Sequence, residues 1–60
     1  MKQAIYTALQ SVQVWNKDQP RHGEAGAVMT PAPNENDEVI VRFDVDLKEE
    51  VVAIADLKTL

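Results

Sequence analysis

The sequence predicts a mainly β protein: one small, strongly curved antiparallel barrel of four to five strands. Three observations carry that expectation. Val39-Ile40-Val41-Arg42-Phe43-Asp44-Val45-Asp46-Leu47 places an apolar residue at every odd position, and a period of two assigns these to one face of a strand. Shorter apolar or alternating segments at residues 12–15, 25–30 and 51–55 are separated by runs of Asn, Asp, Pro and Gly. Closing such a short sheet on itself removes the exposed edges that would otherwise pair with other chains.

The elements follow in order. Residues 1–11 form an N-terminal arm that is either extended or a short helix. Ala4, Ile5, Ala8, Leu9 and Val12 recur at helical spacing, with Lys2, Gln3, Tyr6, Thr7 and Gln10 opposite, but no capping residue precedes them. Residues 12–15 alternate and read as the first strand. Asn16, Asp18, Pro20, Gly23 and Gly26 mark a long loop over 16–26. A second strand spans 25–30 and ends at Pro31 and Pro33, which cannot donate to a ladder. Residues 34–38 form an acidic turn before the long strand, which runs from Val39 to Leu47. A hairpin connection over 47–50 leads into the returning strand at 51–55. Leu57 and Leu60, three apart, fit one C-terminal helical turn that plugs an open end. The expected core is Val12, Val14, Val28, Val39, Val41, Phe43, Val45, Ile54 and Leu57.

Sixty residues make a single domain, 1–60, whose core is marginal because a chain this small hides only about 60% of its unfolded surface. There is no cysteine and only one histidine, so neither a disulfide nor a zinc cage staples it, and no cofactor is expected. Cysteine-free composition fits a reducing cytoplasm. No apolar run approaches the roughly 20 residues that span a bilayer, and the first 14 residues lack the pattern of a signal peptide. A formal charge of −4 repels nucleic acid on average, so only a local basic cluster would bind it.

Val12-Gln13-Val14 followed by Gly23-Glu24-Ala25-Gly26-Ala27-Val28 resembles the KOW motif of small SH3-like barrels, over residues 12–28. That family's pattern is V-x-V, a loop, then G-x-x-G-x-V, with a basic residue often before the first glycine; Arg21 and His22 stand there. Here Gln10-Ser11 and Asn16-Lys17-Asp18 replace two of the family's usual glycines, and the loop is longer. The resemblance implies an SH3-like barrel and a module that binds RNA, DNA or protein.

Candidate chemistry is sparse. Trp15, Lys17, Arg21, His22, Gly23 and Gly26 are the candidate binding residues: cations for an anion, an aromatic for stacking or for a protein hot spot, and glycines for tight backbone approach. The alternative is a solvated loop whose cations offset Asp18 and Glu24. Asp44 and Asp46, sharing a strand face with Glu49 or Glu50 nearby, lack the loop glycine and ligand spacing of a calcium site and read as a wet surface. Arg42 reads as a surface ion pair. His22 and Ser11 lack a nucleophile elbow. The expected function is therefore non-catalytic: recognition of a protein partner, including self-association, through the 15–26 loop or a strand edge. Nucleic-acid binding by Lys17, Arg21, His22 and Trp15 is the first alternative, and an accessory subunit of a larger enzyme the second.

Overall fold

The computed structural model describes residues 3–60. Five antiparallel strands form one sheet: β1 (Ser11–Val14), β2 (Ala25–Val28), β3 (Glu38–Phe43), β4 (Glu49–Ala53) and β5 (Leu57–Thr59). Their spatial order is β4-β3-β2-β1-β5, and a 3-10 turn at Ile54–Asp56 joins the two outermost strands. A flat sheet would separate those edges by about 19 Å, four strand spacings. The link from Ala53 to Leu57 reaches no more than about 14 Å when fully extended. The sheet is therefore strongly curled. Its hydrogen-bonded ladder nevertheless stays open, with β4 and β5 as edges, so the closure expected of a barrel is not formed.

Alternation places the core. In β3, Val39, Val41 and Phe43 are buried while Glu38, Ile40 and Arg42 are only partly so. Val12 and Val14 of β1, Val28 of β2 and Val52 of β4 complete this inner face, with Ile54 and Leu57 packed against it. Gly26 lies opposite Val12 and Phe43 in the register, and a Cβ there would overlap the backbone carbonyl of Arg42. Only glycine lets β2 approach β3 so closely at the bend.

Several expectations need correction. The long strand stops at Phe43, where Leu47 N–H donates to the Phe43 carbonyl and Asp46 Oδ1 accepts from Lys48 N–H. These local bonds fold residues 44–48 into a turn, so Val45 is 75% exposed rather than in the core, and Leu47 adopts φ 60°. The returning strand begins two residues early, at Glu49. The C-terminal helical turn falls instead at Ile54–Asp56, and residues 57–59 form β5.

The arm is not helical over its described residues. Leu9 has φ 63°, which no helix accommodates, and its N–H donates to the Val28 carbonyl while Val28 N–H donates to Gln10. Ile5 and Tyr6 N–H both reach the Pro31 carbonyl, and Tyr6 is buried against the core instead of lying on a polar face. Met1 and Lys2, the start of the expected arm, lie outside the described residues.

Two backbone substitutions have opposite expected outcomes. Gly26→Ala forces β2 from β3 and costs about 2 to 3 kcal/mol, a large share of a small domain's stability. Leu47→Gly relieves a left-handed backbone while losing an already exposed side chain, and stabilises by about 0.5 to 1 kcal/mol. Urea midpoints of the two variants against the parent check both.

Candidate functional site

The candidate binding residues gather in the loop between β1 and β2, and the structure gives each a distinct role. The loop folds through short-range bonds. Asn16 Oδ1 accepts from Asp18 N–H, and the Asn16, Gln19 and Arg21 carbonyls accept from Gln19, His22 and Glu24 N–H. Gly23 at φ 89° lets the chain re-enter the sheet, where its N–H donates to the Val14 carbonyl. Gln13 Nε2 closes the loop base with a 2.9 Å bond to the Gly23 carbonyl.

Arg21 is not presented to solvent as a free cation. Its Nη1, Nη2 and Nε donate to Glu24, Asp46 and Glu50 at 2.8, 2.9 and 2.6 Å. The guanidinium lies 4.3 Å from the centre of the buried Phe43 ring, and the side chain is only 18% exposed. This clasp ties the loop to the 44–48 turn and to β4. The guanidinium pKa is raised chiefly by the bond to Asp46. The Asp46 carboxyl is held below its ordinary range by the Lys48 backbone N–H first and by Arg21 second. Of the two acids expected to offset the loop, Glu24 does so through Arg21; Asp18 forms a local turn instead. Asp44 and Asp46 sit on a turn and do not share a strand face.

On the loop's other flank, Asp56 of the 3-10 turn accepts from Asn16 Nδ2 and Gln19 Nε2, each at 2.6 Å, and its backbone carbonyl accepts from Trp15 N–H. Between these two anchors stands Trp15, 55% exposed. His22 packs against it with ring centres 4.8 Å apart, and Lys58 Nζ lies 3.9 Å over its ring. Lys17 is exposed on the same loop. The structure thus brings Trp15 and His22 together and directs Arg21 elsewhere. Arg42 pairs with Glu49 at 3.6 Å, its neighbour across β3 and β4.

Lys58, Asp56, Asp46 and Glu50 belong to this region although sequence reasoning did not place them there. Lys58 faces Gln13 across the β1–β5 pairing, which a helical C-terminus would not form. No family model, curated protein or solved structure matches the chain.

The clasp sets a pH dependence. A carboxyl whose folded pKa lies below its unfolded value of about 3.8 contributes stability above that value and loses it as pH falls through the folded pKa. The parent should lose stability more steeply than Asp46→Asn below about pH 4. In Arg21→Gln, Asp46 should titrate closer to the ordinary range. Carboxyl NMR titration of both proteins checks this, and an ordinary Asp46 titration in the parent contradicts the clasp.

Proposed function

We propose that this chain is a non-catalytic binding module of SH3-like build that recognises a protein partner through Trp15 and the loop beginning at Asn16. The observation that carries the proposal is a half-exposed aromatic standing on a loop held from both sides. Arg21 anchors one flank through three carboxylates and Asp56 the other through two amides. A rigid aromatic offers apolar area with little ordering entropy left to lose, which is the character of an interface hot spot. Strand order β4-β3-β2-β1-β5 with a 3-10 link before the last strand is consistent with the SH3-like build. The acidic balance favours a protein partner over a polyanion.

Nucleic-acid binding in the KOW manner is the second reading, favoured by Lys58 and His22 beside Trp15. It is weakened by the position of Arg21, whose charge is already matched by three carboxylates. Reversing Arg21 would break the clasp as well as any phosphate contact. Lys17→Glu with Lys58→Glu is the cleaner test.

A displayed library of random peptides, selected on the parent and on Trp15→Ala, separates the readings. The parent should retain peptides that the variant releases, with affinities weakened by about 2 kcal/mol, roughly 30-fold. Equal retention by both proteins removes the protein-recognition reading. Trp15 is the sole tryptophan, so its fluorescence reports directly on oligonucleotides added at low salt. Quenching that salt reverses, and that the paired lysine reversal abolishes, would establish the second reading instead.

A further inference from the structure

The outer face beside β4 presents a second surface. Val51 is 57% exposed and lies opposite Ile40 in the β3–β4 register. With Thr30, Asn34, Glu38 and Val39 these residues line a depression of about 200 Å³. β4 is an edge strand and Glu49, Glu50 and Val51 are all exposed. Its ladder phase follows from two bonds: Phe43 N–H donates to Lys48, and Ile54 N–H donates to Asp37. Stepping by two between these pairs turns the backbone groups of Glu50 and Val52 toward β3. Those of Glu49, Val51 and Ala53 therefore point outward, away from the sheet.

We propose that this edge accepts an extended basic segment of another protein as an added strand, with an apolar side chain of that segment seated on Ile40 and Val51. Charge decides the occupant. The protein carries −4, and among the described residues no cation pairs with Glu38, which lines the depression, or with Glu35 in the adjoining turn. Among the described residues, the cations near the edge are Arg42 and Lys48 at its opposite end, and Arg42 is engaged by Glu49. A Lys or Arg two residues along the incoming strand shares the face of its apolar residue and, opposite Ala53, reaches toward Glu38. A second copy of this chain would bring the same net charge and the same Glu49-Glu50 edge, so like charges oppose self-pairing. Outward backbone groups supply affinity, the depression fixes register, and the acids set the sign of the partner.

The test uses a short synthetic peptide, Lys-Thr-Val-Thr-Lys, whose lysines share the valine's face of a strand, and its counterpart with glutamate in place of each lysine. Amide NMR of the whole chain follows shifts and hydrogen exchange. The lysine peptide should bind at least about tenfold tighter than the glutamate peptide, whose acids would meet the acids of the edge. It should slow exchange at Glu49, Val51 and Ala53. Val51→Lys should abolish binding with the β1, β2 and β5 spectra unchanged, and Glu38→Lys should weaken it if Val51→Lys does not fold. Trp15→Ala should bind as the parent does, which keeps this surface separate from the loop. Equal binding of the two peptides, no exchange protection at the three amides, or loss of binding in Trp15→Ala would overturn the proposal.

Discussion

The interaction on which the rest of the molecule depends is the seating of Arg21 over Phe43. Among the described residues Phe43 is the largest fully buried side chain, and the next largest, Val12, Val14, Val28, Val39 and Val41, are all valines. A valine interior is thin, so a ring at the end of β3 would lie against solvent unless something flat covered it. A guanidinium suits that place because it is planar and offers donors in a fixed fork, whereas a lysine would supply one hydrated point charge. Covering the ring would leave the cation poorly solvated, and three carboxylates from three different segments compensate. The requirement of one aromatic side chain thereby joins the first loop, the β3–β4 turn and the edge strand.

The same loop is fastened on its other flank by a different chemistry. Asp56 accepts two side-chain amides and one backbone N–H, all from residues 15–19. Charge–charge bonds on one side and charge–amide bonds on the other leave the loop few alternatives. Trp15 projects from between them because Val12 and Val14 take the inward positions of β1, and the alternation turns the next ring outward. Rigidity of the loop and exposure of the ring thus have separate causes. Together they make a surface ready to bind without first being ordered.

How much of this was legible in the sequence depended on distance along the chain. The inner face of β3 was legible because alternation is a local property, and Val39, Val41 and Phe43 are buried as that pattern requires. Val45 failed because the pattern ran on to Leu47, four residues beyond the end of the strand at Phe43. Nothing in a period-two count registers that Asp46 will fold back on the Lys48 amide. Tyr6 failed because helical spacing put it opposite the apolar stripe, whereas an irregular arm tied to Pro31 turns it inward. Arg21 was singled out for its charge and assigned to solvent, since two of its three partners lie 25 and 29 residues away. Lys58 was invisible for the same reason: its place beside Trp15 depends on β5 pairing with β1, and Leu57 and Leu60 three apart resemble a helical turn equally well.

The two glycines that carry the KOW resemblance have physical explanations that need no ligand. Gly23 occupies a left-handed backbone where the loop returns to the sheet, and Gly26 lies where β2 presses on the Arg42 carbonyl. Both are demands of a short sheet that must curl within 60 residues around a valine core. A spacing of V-x-V, loop, G-x-x-G-x-V can therefore arise from architecture alone, and it argues for the curl more strongly than for any bound molecule. The functional argument rests instead on features the curl does not require. An exposed tryptophan on a doubly anchored loop and an exposed valine on an acidic edge add nothing to the core, and each leaves apolar surface in water that a partner could cover.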